Sequence, residues 1–215
     1  MTTDNFEAIK AEILKRAKEN YACKGQYGRA YKSKNLAELM QVIKDNFHWA
    51  YRHDVVTPDI IEQFREDFAT NDIYLNVDAN HGFLLCDNAT VTAYDNATVE
   101  AYGNAKVEAC DNATVTAYDN AKVEAYDNAK VEAYDNAKVE AYGNAKVKAW
   151  DNATVTAWDN ATVKAYDNAT VEASDNAYCT SLYTIECKLS GNAIYRLRSE
   201  SIIFYANDEI KFVKQ

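Results

Sequence analysis

The sequence predicts a mainly β protein, a parallel β-solenoid (β-helix) of eight-residue repeats preceded by an N-terminal α-helical cap domain. An octad recurs in eleven near-perfect copies from Asp87 to Ser174. Apolar and polar residues alternate within each copy, as in a half-buried strand. In residues 1–70 the apolar residues instead recur at the spacing of a helix. We therefore predict a cap or recognition domain over 1–70 and a solenoid over 71–215, with capping strands in 199–215.

The octad Asp119–Tyr126 (DNAKVEAY) defines positions 1 to 8 of the repeat. Positions 3, 5 and 7 are Ala, Val and Ala, whereas positions 4 and 6 are mostly Thr, Lys or Glu. Asp-Asn at positions 1 and 2 indicates a corner, because both residues tolerate positive φ. So short a strand cannot bury its own face, so the units must stack. The register also extends through 79–86 and 175–198, giving fifteen units.

The number of octads in one coil follows less directly from the repeat. Ala-Val-Ala, with its largest residue in the middle, suits the side of a triangle. Stacking every third octad would place Glu124 beside Lys148 and Glu140 beside Lys164. Stacking every second octad would instead place Lys148 beside Lys164. Because equivalent positions stack about 4.8 Å apart, we favour three octads per coil over two, with about five coils.

Two positions of the octad predict columns of side chains along the solenoid. Asn at position 2 is expected to form a hydrogen-bonded ladder at the corners. Position 8 is aromatic in nine octads, and these rings either stack to stabilise the solenoid or form a rim that binds a partner. The candidate binding residues of this rim are Tyr126, Tyr134, Tyr142, Trp150 and Trp158.

Capping signals predict three helices in the N-terminal region. The first begins at a capping box, Asp4 with Glu7, and the second begins at Asn35. The third begins at Thr57, which the single proline of the chain follows at the first helical position. Strands outside the octads are predicted at 72–77, 202–205 and 210–213.

One stretch of the N-terminal region, 15–34, is strongly basic, with a local net charge of +6 and three interleaved tyrosines. Basic residues interleaved with aromatic residues are typical of surfaces that bind nucleic acid or an acidic protein. A solvated loop would have the same composition. We take Lys24, Arg29 and Lys32 as candidate binding residues, and this is the one place where we expect any contact with nucleic acid.

The sequence predicts no catalytic, metal or cofactor site. His48, His53 and His81 are not accompanied by paired cysteines at zinc-ligand spacing. Cys179 and Cys187 occupy position 5, the valine position, and are expected in the core. The octads repeat the same Thr, Lys and Glu rather than a cluster of unlike polar groups. Ice binding through Thr-x-Thr pairs is a weaker expectation, since Lys and Glu interrupt the threonine array.

The charge and the N-terminal sequence suggest a compartment and a class of partner. A net charge of −10 argues against a general nucleic-acid coat. No apolar run approaches the ~20 residues that cross a bilayer, so no membrane contact is expected. The first twenty residues lack a signal-peptide pattern, so we expect a cytoplasmic location.

The octad DNAxVxAY, together with segment 36–64, resembles a family of octapeptide-repeat proteins from gut bacteria and their phages. The resemblance covers nearly the whole chain and implies the solenoid and a mobile-element context, but no activity or site residues. We expect a non-catalytic scaffold for protein–protein interaction and self-association, such as a homodimer. The alternative is an acidic inhibitor that mimics nucleic acid and occupies a host or defence enzyme.

Overall fold

The computed structural model describes residues 3–206 and 210–211. The chain divides into two units, Met1–Leu75 and Asn76–Gln215. We call them the helical unit and the solenoid unit. Among the described residues, all helices lie in the helical unit, and all strands except one short strand lie in the solenoid unit.

The helical unit contains more helices than the capping signals predict. Asn35 begins the second predicted helix, and its Oδ1 accepts the backbone N–H of Glu38 at 2.9 Å. Thr57 caps the third, with Pro58 as its first residue. The side chain of Asp4 lies outside the described residues. Within residues 3–75 the elements are α1 (Thr3–Glu19), α2 (Lys24–Lys32), α3 (Leu36–Lys44), α4 (Phe47–Arg52), α5 (Pro58–Gln63), α6 (Arg65–Ala69) and β1 (Ile73–Leu75).

Helical spacing of apolar residues forms the core of this unit. On α1, Ile9, Ile13 and Ala17 are buried at intervals of four residues and so lie on one face. The basic segment 15–34 is helical over most of its length, because α1 extends to Glu19 and α2 covers 24–32. Its glycines lower helix propensity, which hides this helix at the level of sequence. Burial of Ala30 nevertheless fixes α2 within the unit.

The octads form the strands as predicted, each covering positions 4 to 7 with few exceptions. The strands are β2 (Phe83–Asp87), β3 (Thr90–Ala93), β4 (Thr98–Tyr102), β5 (Lys106–Ala109), β6 (Thr114–Ala117), β7 (Lys122–Ala125), β8 (Lys130–Ala133), β9 (Lys138–Ala141), β10 (Lys146–Ala149), β11 (Thr154–Ala157), β12 (Thr162–Ala165), β13 (Thr170–Ala173), β14 (Tyr178–Ser181), β15 (Glu186–Leu189), β16 (Ile194–Leu197), β17 (Ile202–Tyr205) and β18 (Ile210–Lys211).

Consecutive strands alternate between two parallel sheets. Even-numbered strands from β2 to β16 pair in sequence in one sheet, and odd-numbered strands from β3 to β15 pair in the other. Val131, Val147 and Val163 are direct partners, and each is sixteen residues from the next. The predicted parallel β-solenoid is confirmed. One coil holds two octads, however, so the prediction of three is wrong, and the solenoid has about seven turns.

The core explains why a two-octad coil is possible. From position 3 to position 7 the inward side chains are Ala, Val and Ala, and these are buried throughout the regular octads. Alanine near both corners lets the two sheets converge, and valine fills the wider space at mid-strand. The order of sizes that suits a triangular coil therefore also suits a flat one.

Surface charge does not decide how the octads stack. Lys148 pairs in register with Lys164 on one side and with Glu132 on the other. Its Nζ donates to Oε1 of Glu132 at 2.7 Å, which compensates for the like charge. Exposed charges interact by only about 1 kcal/mol at 4 Å in water. Burial of the alanine and valine side chains outweighs the electrostatic difference between the two ways of stacking octads.

The octad register slips by one residue in the first coil. Phe83 pairs with Thr98, fifteen residues later, so Cys86 pairs with Ala101 in the core. Asn88, rather than Asp87, then takes the positive φ of the corner, at 51°. The expectation that the octad register continues unchanged through 79–86 is therefore wrong.

Cysteine and tyrosine replace valine at the C-terminal end of the solenoid. Cys179 and Cys187 are buried, as predicted from position 5. Tyr195 occupies the next valine position of its sheet and stacks on Phe204 at 5.6 Å between ring centroids. β17 pairs antiparallel with β16, and β18 pairs antiparallel with β15. Residues 212–213 of the last predicted strand lie outside the described residues.

Candidate functional site

The aromatic residues of position 8 form two columns, because alternate octads belong to alternate sheets. Ring centroids of neighbours within a column lie 4.6 to 5.2 Å apart. The first column is Tyr102, Tyr118, Tyr134, Trp150 and Tyr166, and the second column includes Tyr126, Tyr142 and Trp158. The structure therefore divides the predicted rim residues, with Tyr134 and Trp150 in one column and the other three in the second.

Ring faces within each column are occupied by neighbouring rings. Planes of stacked neighbours differ by only 4° to 11°. Aromatic pairs of this kind contribute about 0.5–1.5 kcal/mol beyond their burial, so the columns hold successive coils together. The five candidate rim residues are half-buried. What they offer a partner is their ring edges rather than their faces.

Tyrosine hydroxyls of both columns bond to the glutamate two residues earlier. The hydroxyl of Tyr126 donates to Glu124 at 2.9 Å, and that of Tyr142 donates to Glu140 at 2.8 Å. The bond to Glu124 is the main reason that the pKa of Tyr126 is raised to about 12. Burial is the main reason that the pKa of Tyr142 is raised to about 12. These hydroxyls therefore stay protonated, and they anchor carboxylates that would otherwise repel one another along the sheet.

Corner carboxylates form a second ladder along the solenoid axis. The backbone N–H of Asp119 donates to Oδ2 of Asp135, one coil later, at 3.2 Å. At the other corner, the N–H of Gly143 donates to Oδ2 of Asp159 at 3.0 Å. The predicted asparagine ladder is seen between side chains at two places, from Asn192 to Asn176 at 3.3 Å and from Asn104 to Asn88 at 3.4 Å. Aspartate is thus a main acceptor of the corners, and its repetition has a structural cause.

The three basic candidates lie on one helix, α2, of the helical unit. Arg29 forms an ion pair with Asp45 at 2.6 Å, which ties α2 to the end of α3. Lys24 and Lys32 are exposed. Of the interleaved tyrosines, Tyr21 is 93% exposed, whereas Tyr27 lines a cavity. The cations are available to an acidic surface, but the aromatic residues do not form a common stacking platform with them.

A cavity of about 290 Å³, partly open to solvent, lies between the helices of the helical unit. Four of the helices contribute to its lining, with Ala17 of α1, Ala30 of α2, Leu39 of α3 and Ala50 of α4 among the residues. The lining is mostly apolar and contains no charged side chain. Its existence was not predicted from the sequence. Three of these four positions are alanines, whose small side chains are the sequence signal for the cavity.

Exposed large apolar side chains concentrate at the C-terminal end of the solenoid unit. Ile203 is 46% exposed and Tyr205 is 57% exposed on β17. Along the regular octads the outward positions of the sheets carry Thr, Lys and Glu instead. Leu182, Tyr183 and Ile202 are also exposed at this end, and we call Ile203 and Tyr205, which share the outward face of β17, the terminal patch. The sequence signal for this patch is the uncharged run SIIFYA at 201–206, which we interpreted only as a closing strand.

Comparison with protein-family models, with curated proteins and with solved structures found no match for the chain. Within the described residues, no group of three or more His, Cys, Asp or Glu side chains is placed to hold a metal ion. None of the described helices has the length and apolar character needed to span a bilayer.

Proposed function

We propose that the chain is a non-catalytic binding protein, a repeat scaffold for protein–protein interaction that self-associates through the terminal patch. The observation that supports this proposal is the position of β17 at the end of a sheet. In the part of the chain that the structure describes, β17 pairs with β16 on one edge and with no strand on the other. The edge strand of a sheet is a template for pairing with another chain.

The composition of β17 favours pairing over protection. Natural edge strands are usually blunted by charged side chains, proline or bulges. Residues 201–206 contain none of these charges and no proline. Ile203 lies beside Arg196 in the strand register, and Tyr205 lies beside Ile194, so Ile203 and Tyr205 extend the outward face of the sheet. Burial of exposed apolar side chains is the main driving force of association.

A second copy of the chain is the partner that this edge fits. Two β17 strands related by a twofold axis would pair antiparallel, which is the isologous arrangement of most homodimers. Ile203 and Tyr205 of both copies would then lie along one continued sheet. No cofactor is required for this contact.

The sequence-predicted surfaces keep secondary roles in the proposal. Aromatic ring edges offer a contact surface along the solenoid unit. They belong to Tyr126, Tyr134, Tyr142, Trp150 and Trp158. On α2, Lys24, Arg29 and Lys32 offer a basic contact for an acidic protein surface. A cytoplasmic location remains part of the proposal.

Light scattering after size exclusion tests self-association with a matched pair of variants. Ile203→Glu adds a charge that Arg196 compensates in the monomer but that repels its copy across a twofold axis. Thr162→Glu adds the same charge beside Lys146 in the middle of the same sheet. We expect a dimer for the wild type and Thr162→Glu, and a monomer for Ile203→Glu. A monomeric wild type, or a dimeric Ile203→Glu, refutes the proposal.

An acidic inhibitor that occupies a nucleic-acid site is the second candidate function. The corner ladders favour it, because Asp119 and Asp135 stand one coil apart on the same edge of the rod. Lys122 and Lys138 belong to the same two octads and are partners on β7 and β9, and their positive charges partly cancel those of the aspartates. Capture of a basic enzyme from host lysate that salt reverses would support the inhibitor. Salt-insensitive dimers without such capture would support the scaffold.

A further inference from the structure

We propose that the cavity of the helical unit binds a small, neutral aromatic molecule of about the size of indole. This site is separate from the terminal patch and does not depend on self-association. The proposal rests on the volume of the cavity, on its lining and on the polar groups that line it.

Small residues create the cavity. Ala17, Ala30 and Ala50 are buried on three different helices, so the backbones are packed while their side chains leave space. Larger side chains, including Ile13 and Leu39, complete an apolar wall. Protein interiors are normally filled to the density of organic crystals. A cavity of about 290 Å³ with an almost wholly apolar lining therefore suits an apolar occupant.

The volume sets the size of this occupant. An engineered apolar cavity of about 150 Å³ holds benzene. The present cavity, at about 290 Å³, has room for a bicyclic ring system. Ligand pockets in proteins commonly begin at about 300 Å³.

Polar groups of the lining set the chemistry. The amide of Asn46 donates to the carbonyl of Val42 at 2.7 Å, which leaves its Oδ1 as an acceptor. At the solvent-exposed rim, the side-chain carbonyl of Gln26 accepts from Arg29, which leaves its amide hydrogens as donors. Together with the hydroxyl of Tyr27, these groups suit a ring that carries one N–H or O–H. Since no charged side chain lines the cavity, a carboxylate would lose its hydration without compensation.

Isothermal titration of the purified full chain with indole tests the site directly. Ala30→Phe fills the cavity from α2, and Ala50→Leu fills it independently from α4. Ala37→Leu is the matched control, because Ala37 is exposed on α3 and does not line the cavity. Circular dichroism shows which variants retain the native helix content.

We expect indole to bind the wild type and Ala37→Leu equally, and to bind both filled variants at least tenfold more weakly. Indole should also raise the Tm of the wild type, because a ligand of the native state stabilises it. Indole-3-acetate, which adds a carboxylate, should bind at least tenfold more weakly than indole. Absence of indole binding to the wild type overturns the proposal, and so does unchanged binding in a folded filled variant. Equal binding of the two ligands overturns the neutral class.

Discussion

Substitution of Asp159 tests whether corner aspartates, rather than the neighbouring asparagines, stabilise the stacking of coils. Asp159 has a φ of 53°, and its Oδ2 accepts the N–H of Gly143 at 3.0 Å. Asn160 follows it at the same corner and is exposed. Its backbone N–H donates to the carbonyl of Gly143 at 2.9 Å, a bond that any non-proline residue can make. The two positions therefore differ in what their side chains contribute.

The expected loss of stability at Asp159 combines two effects. Alanine cannot accept the hydrogen bond, and a lost bond of this kind costs about 1 kcal/mol. Alanine also disfavours the left-handed conformation by about 1 kcal/mol or more, whereas aspartate tolerates it. Asp159→Ala should therefore lower the free energy of unfolding by about 2 kcal/mol.

Two further substitutions at Asp159 separate the effects. Asp159→Asn keeps an acceptor oxygen and tolerates positive φ, so its loss should be under about 0.5 kcal/mol. Asp159→Gly removes the acceptor but accepts the conformation, so its loss should be about 1 kcal/mol. Glycine already occupies this corner position at Gly143, with a φ of 62°.

Urea unfolding followed by far-UV circular dichroism measures the series, with Asn160→Ala as the matched control. Surface substitutions without a structural contact usually change stability by less than about 0.5 kcal/mol, and we expect that for the control. The reasoning is refuted if Asn160→Ala destabilises the solenoid more than Asp159→Ala. It is also refuted if all three substitutions at Asp159 have the same effect.

Three further predictions concern other features of the chain. The Tyr126 pKa of about 12 exceeds the ordinary value of about 10, so the stability that Tyr126 contributes is present below pH 10 and is lost as the pH rises toward 12. Glu124→Gln should lower that pKa in an absorbance titration, because the Glu124 hydrogen bond is its largest cause. Cys23, the one exposed cysteine, should give the fast phase of thiol labelling, and Cys23→Ser should remove it. Calorimetry should show that Gly25→Ala stabilises the protein by about 0.5–1 kcal/mol, because Gly25 is helical and a Cβ there meets no other atom. Gly103→Ala should destabilise the protein, because the φ of Gly103 is +64° and a Cβ would collide with the side chain of Asn88.

The residue types within one octad predicted the strands and corners of the solenoid. The number of octads per coil depends instead on how the core packs. The alternation around Val123 specifies a strand, and the Asp-Asn corners specify its ends, so octads could be read directly as coil segments. The number of octads per coil depends on how far two alanine-lined faces converge, which the octad alone does not encode. Charge was a poor guide, because Lys148 meets both Lys164 and Glu132 in the observed register.

Candidate surfaces were harder to predict than strands. Position 8 predicted aromatic columns, but a coil of three octads would separate Tyr126 from Tyr142, which stack on each other in the observed two-octad coil. The basic segment was recognised, yet its helix was not, because Gly25 and Gly28 weaken the helical pattern. The cavity needed the relative placement of four helices. Its small alanines are a weak signal before that placement is known.

Regular octads leave little freedom for a specific site, because a sixteen-residue translation repeats almost every surface group along the rod. A partner that bound one coil would find nearly the same groups on the next, so specificity requires a break in the repeat. Tyr195 and the uncharged β17 provide such a break at the C-terminal end. The helical unit, which has no repeat, provides another. If Ile203→Glu is dimeric and indole does not bind, then neither the terminal patch nor the cavity is a binding site, and the aromatic edges and α2 remain as candidates.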